Sequence, residues 1–155
     1  MTRHAGWITT TYFLLAFYTF GASMIGSFAM YHSWRFVGDE QFIIEHAEAG
    51  KRIVTFFVLP TVVMTIFQIL LFWYRPKIVP RTLVWASIVC SMIPWLSSAF
   101  IQIPLQFKLG KGKDPELLEW LIISDWIRVV PAFGLAIFAF MMLKIIVTKS
   151  LHVTT

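Results

Sequence analysis

Asp125 and Arg128 stand three residues apart in an otherwise apolar stretch, with Trp126 and Ile127 between them and Val129 after them. On a helix that spacing puts both side chains on one face, where carboxylate and guanidinium pair. An ionisable group buried in an apolar medium is expensive, so its presence points to function by default. The plainer reading is a self-neutralising pair that fixes the depth of its helix. As chemistry, Arg128 offers a cation that stabilises a developing oxyanion.

His46 joins them as a candidate, because a histidine changes charge near neutral pH and serves as acid, base or ligand group. Its alternative is a satisfied histidine packed beneath a loop. Glu45 and Glu48 lie beside it with Arg52 four residues beyond Glu48, most simply a solvated ion-pair face. His46, Asp125 and Arg128 form the expected catalytic set, with His46 as proton acceptor. Trp126, Gln102, Gln106 and Glu119 are the expected ligand contacts. Gln68 is a further amide in an apolar run, and such amides more often hold helices together, at about 0.6 kcal/mol per contact.

What must position these residues follows from composition. Hydrophobic residues make up 58% of 155 residues, charged residues only 14%, and the mean hydropathy is +0.74. A soluble domain carries about 25% charged residues to face water. The charges here cluster into short stretches between long uncharged runs, which fits one membrane domain and an all-α, up-and-down, four-helix transmembrane bundle. A spanning helix needs ~20 apolar residues. The runs predict helices over about 7–31, 40–74, 82–103 and 115–148. The first run is too long for the apolar core of a signal peptide, so it is read as a retained helix.

Local signals set the ends. Gly38-Asp39 reads as a break and an N-cap. Phe42, His46, Ala49, Ile53, Phe57 and Pro60 then share one helical face, and Pro60 is expected to kink it. Arg75 to Arg81 is a basic loop holding Pro76 and Pro80. Pro104 between Gln102 and Gln106 suggests that the third helix leaves the membrane near Ile103. Asp114-Pro115-Glu116 is a strong helix start. The uncharged core of the last helix, Val129 to Leu143, is 15 residues long, about 22 Å at the helical rise and short of ~30 Å of hydrocarbon. Either Asp125 and Arg128 enter the membrane or Lys144 snorkels. In helix one, Ala22-x-x-x-Gly26 and Ser23-x-x-x-Ser27 form small-residue seams suited to close packing.

Tryptophans favour membrane interfaces: Trp7, Trp73 and Trp85 mark one side and Trp34, Trp120 and Trp126 the other, with Trp95 the exception. With both termini inside, the cytoplasmic segments hold Arg3, Arg75, Lys77, Arg81, Lys144 and Lys149. The outer segments hold Arg35, Lys51, Arg52, Lys108, Lys111 and Lys113, an equal number. The dense basic loop at 75–81 favours both termini in the cytoplasm.

The net charge of +5 is explained by topology and anionic head groups, and nucleic acid is not an expected partner. Cys90 is the one cysteine, which excludes an internal disulfide and thiol-redox motifs; it reads as a small packing residue. No metal site is expected, and no cofactor is assigned. Haem needs paired axial ligands on facing helices; His32 and His46 share a side and keep that option open, while His4 and His152 are terminal.

Taken together, Tyr31, Phe42, His46, Arg52-Ile53, Pro60, Gln102-x-Pro104 and Asp125-Trp126-Ile127-Arg128 resemble a family of small four-helix bacterial membrane proteins of unknown function, related to the anthrone-oxygenase-like group. That family has Asn before this Trp and Thr after the Arg, where this chain has Asp125 and Val129, and Asn near the position of Gln106. The resemblance implies a compact bundle and, by analogy with fungal relatives, oxidation of a polycyclic anthrone to a quinone without an obvious metal.

Two functions are carried forward. One is a bundle that binds or oxidises a lipophilic small molecule near the outer leaflet, with His46, Asp125, Trp126 and Arg128 converging on one cavity. The other is a non-catalytic subunit of a larger membrane complex. A small transporter ranks behind both, because no internal repeat is visible and buried charge is scarce.

Overall fold

The computed structural model describes residues 3–153, with side chains over residues 4–151. Arg3 and His152, which entered the sequence reading, have side chains outside that range. Four helices are long and apolar enough to cross a membrane: α1 His4–Phe36, α2 Asp39–Tyr74, α3 Arg81–Leu109 and α4 Pro115–Leu151. The main contacts run α1 to α2, α2 to α3, α3 to α4 and α1 to α4, so the chain goes up and down around a square. One end, called terminal here, holds the start of α1, the end of α4 and the 75–80 connection; the distal end holds the connections at 37–38 and 110–114.

Two apolar cores fill the bundle. The terminal core gathers Tyr12, Phe13, Ala16, Met64, Leu71, Val79, Val84, Leu135, Ala139 and Met142. The distal core gathers Tyr31, Trp34, Phe42, Leu109, Leu118, Leu121 and Ile122. Large apolar side chains such as Leu14, Phe56, Phe100 and Val130 stay exposed along the flanks, as lipid-facing residues must.

Every helix departs from regular α geometry. In α1, α2 and α3 a π-helical turn intervenes at Gly26–Met30, Val54–Val58 and Ser98–Gln102. In each the next N–H bonds five residues back: Tyr31 to Gly26, Leu59 to Val54 and Ile103 to Ser98. In α4 the helix is interrupted at Asp125. Proline explains two of these sites. Pro60 offers no N–H to the Phe56 carbonyl four residues back, and the Tyr18 hydroxyl of α1 donates to that oxygen instead, at 2.7 Å. Pro104 likewise follows its π turn by two residues, so α3 continues through it to Leu109 rather than ending near Ile103.

Other expectations meet corrections. Asp39 is not the N-cap of α2: Gly38 takes that place, without any side-chain cap, and its carbonyl accepts from Phe42 N at 2.9 Å. Asp39 lies in the first turn, where a carboxylate still favours the helix dipole, with one oxygen 3.9 Å from Lys113 Nζ. At α4 the expected cap is present, Asp114 Oδ1 accepting from Glu116 N and Leu117 N at 2.9 and 3.1 Å. The Ala22-x-x-x-Gly26 seam is not a tight contact, since a Cβ added at Gly26 meets nothing within 4 Å. Close approach occurs between α3 and α4, where a Cβ on Gly134 would stand 2.9 Å from Cys90 Sγ; Cys90 packs as a small residue. Trp34 is no lipid-facing anchor, being only 4% exposed in the distal core. Trp95 is mid-helix because its indole donates to Thr65 Oγ1 at 3.1 Å, which satisfies the N–H inside the bundle.

Candidate functional site

Between the two cores lies a polar layer centred on Asp125 and Arg128. The interruption of α4 places Asp125 at 2% exposure, with its backbone carbonyl accepting from Arg128 N and Val129 N at 2.8 and 3.0 Å. Arg128 Nε donates to Asp125 Oδ1 at 2.6 Å, and Nη2 donates to the same oxygen. Nη2 also donates to the Tyr31 hydroxyl at 3.0 Å, and Nη1 reaches Ser98 Oγ at 3.5 Å. The guanidinium carbon sits 5.8 Å from the centre of the Tyr31 ring. One cation therefore ties α1, α3 and α4 together.

The acid is treated unequally. Both guanidinium contacts fall on Oδ1, while Asp125 Oδ2 is buried and has no hydrogen-bond partner among the described residues. A buried acceptor left without a donor costs about 1–3 kcal/mol, more for a charged group. Tyr31 directly follows one π turn and Ser98 opens another. The extra residue in each turn re-aims the side chains that follow or belong to it, and such turns are frequent at functional sites.

Gln102 belongs to the same layer and is fully engaged. It accepts from Ser97 Oγ at 2.8 Å and donates to the Ser124 carbonyl at 3.3 Å, bridging α3 to α4. That is the helix-holding role of a buried amide.

His46 does not reach Arg128. Its Nε2 lies 2.6 Å from Gln106 Oε1, joining α2 to α3 at the distal end. Its ring stacks on Phe42 at 5.6 Å between centres and tilts against Trp34 at 5.0 Å. Trp34 in turn meets Tyr31 at 5.4 Å. Two aromatic rings thus stand between His46 and the guanidinium. Glu119 forms a third group, both its oxygens accepting from Arg35 Nε and Nη2 at 2.6 Å, while Arg35 Nη1 lies 3.0 Å from His32 Nδ1. Trp126 points outward at 54% exposure and meets Phe28 edge-on.

The seven expected residues therefore divide. Asp125, Arg128 and Gln102 share the polar layer, His46 and Gln106 pair beyond Trp34, Glu119 is bound at the distal surface, and Trp126 faces outward. Lys113 was not foreseen: its ammonium donates to the carbonyls of Val37 and Arg35 at 2.6 and 3.0 Å, clamping the end of α1 under the distal loop. As for haem, His32 and His46 are engaged in different groups, by Arg35 and by Gln106, which does not fit a facing axial pair.

Comparison with protein families, with characterised proteins and with solved structures returns no match to this chain. Two shallow apolar grooves open on the flanks. One runs between α3 and α4 along Ile93, Leu96, Ser97, Phe100, Ile101 and Ile127; the other follows Glu116, Glu119, Trp120 and Ile123 of α4. Ser97 belongs both to the first groove and to the Gln102 bridge, so that groove borders the polar layer. Among the described residues, no three His, Cys, Asp or Glu side chains are grouped to hold a metal.

Proposed function

We propose that this chain is a membrane protein that binds a lipophilic small molecule in its distal half, with Asp125 as the polar contact and Arg128 as the group that holds Asp125 in place. The observation that supports it is the Oδ2 oxygen, a buried carboxylate acceptor with no donor among the described residues, beside a guanidinium already engaged by Asp125, Tyr31 and Ser98. A ligand donor on Oδ2 offsets the cost of burying it. The α3–α4 groove supplies the apolar approach from the bilayer. In this reading Asp125 is the proton acceptor, because His46 is already bound to Gln106 beyond the aromatic rings. Oxidation of such a ligand rests on the resemblance to anthrone-oxygenase-like proteins, and the location in a bacterial inner membrane with cytoplasmic termini belongs to the same proposal.

The test is extraction of the protein and of Asp125→Asn from native membranes, with mass-spectrometric identification of co-purified small molecules. A lipophilic compound retained by the wild type and depleted about tenfold in the variant supports the reading, that factor corresponding to ~1.4 kcal/mol. Equal recovery from both proteins overturns it.

A second reading is supported by the way Arg128 and Gln102 bridge three helices. The layer then serves as a lock that keeps a non-catalytic subunit rigid for assembly with other membrane proteins. Stoichiometric co-purification of a partner, with small-molecule content unaffected by Asp125→Asn, selects that reading.

A further inference from the structure

The two ends of the bundle differ sharply in charge. All eight Asp and Glu residues lie between Asp39 and Asp125 in the distal half. The terminal half has none, yet it holds Arg75, Lys77, Arg81, Lys144 and Lys149, with Arg3 in addition by sequence. Four of the seven distal cations meet an acid: Arg35 binds Glu119, Lys51 binds Glu48, Lys113 approaches Asp39 and Arg128 binds Asp125, whereas Arg52, Lys108 and Lys111 form no ion pair among the described residues. At the terminal end no ion pair forms among the described residues.

The fold concentrates these cations. Val79 of the 75–80 connection is 1% exposed and shares the terminal core with Met142, against which Leu143 and Ile146 also pack. This anchors the loop beside the end of α4, bringing Lys77 and Arg81 to the same end as Lys144 and Lys149, all four exposed. Arg75 is spent on the loop itself, donating to the carbonyls of Val79 and Phe72 at 3.0 and 3.2 Å. The Arg81 guanidinium lies 5.7 Å from the Phe72 ring, and Phe72 meets Trp73 and Trp85 edge-on. Trp7, Trp73 and Trp85 are 70%, 65% and 54% exposed at this end, the arrangement of an aromatic belt at head-group level.

We propose that the terminal end is a binding face for anionic phospholipid head groups, with Lys77, Arg81 and Lys144 as phosphate contacts and the Trp73–Trp85 cluster seating the glycerol and upper acyl region. A lipid fits better than a soluble acidic partner because the cations stand next to exposed tryptophans on helices that continue into apolar flanks. Each surface cation strengthens attraction to an anionic leaflet about fivefold.

The test uses the full chain in nanodiscs made of equal parts phosphatidylglycerol and phosphatidylcholine, released into zwitterionic detergent, with retained lipids counted by native mass spectrometry. The expected result is retention of phosphatidylglycerol over phosphatidylcholine that survives washing with inorganic phosphate. It falls to near parity in Lys77→Gln/Arg81→Gln/Lys144→Gln and is unchanged in Arg52→Gln/Lys108→Gln/Lys111→Gln at the distal end. Should the terminal triple variant misfold by near-ultraviolet circular dichroism, Lys144→Gln alone is read for an approximately fivefold loss. Equal retention of both lipids, loss on phosphate washing, equal loss in the distal variant, or capture of a soluble acidic protein in place of lipid overturns the proposal.

Discussion

Replacing Arg128 by Met strands the Asp125 carboxylate in the interior, and breaking one side of a buried pair costs ~3–5 kcal/mol. Thermal unfolding in detergent should show that loss for Arg128→Met and recover most of it in Asp125→Leu/Arg128→Met, where no charge remains. A loss below about 1 kcal/mol in the single variant would mean a solvated pair. The pairing itself was legible, because three-residue spacing on a helix brings two side chains together whatever surrounds them. Tyr31 and Ser98 were not, since they come from other helices and stand at π turns that the sequence does not mark. His46 shows the converse: its face on α2 was read well, but the partner that binds it, Gln106, depends on the register between α2 and α3.

At the scale of the helix, proline and π turn act as one device. Tyr18→Phe leaves the Phe56 carbonyl without its donor and should cost ~1 kcal/mol. In a Pro60→Ala background, where an N–H is restored four residues on, the same substitution should be nearly neutral. Unfolding midpoints of the two single variants and the double variant give that coupling, and additivity would show that the Tyr18 bond does not compensate for proline. Charge-free runs located the four helices because lipid admits few charges. The end of α3 was harder to read, since Pro104 signals termination unless a preceding π turn has already changed the hydrogen bonding. Trp34 deceived for a related reason: tryptophan suits an interface and a packed core equally, and only its neighbours Tyr31, Phe42 and His46 decide between them.

For the whole molecule, short connections between adjacent helices made the up-and-down topology readable, whereas equal numbers of Lys and Arg on the two sides left orientation open. Cytoplasmic termini remain part of the proposal, resting on the dense basic loop at 75–81. Reporter fusions after residue 155 should then be active with a cytoplasmic fluorescent domain and inactive with a periplasmic phosphatase; the reverse pattern inverts the protein. The central claim is narrower, that the layer between the two cores offers Asp125 Oδ2 to a ligand from the bilayer. Its most direct test is a high-resolution cryo-electron microscopy map of the protein in native lipid nanodiscs. Non-protein density is expected within hydrogen-bonding distance of Oδ2, continuous with the α3–α4 groove. A map in which a protein donor occupies Oδ2 and the layer is closed to the groove would contradict it.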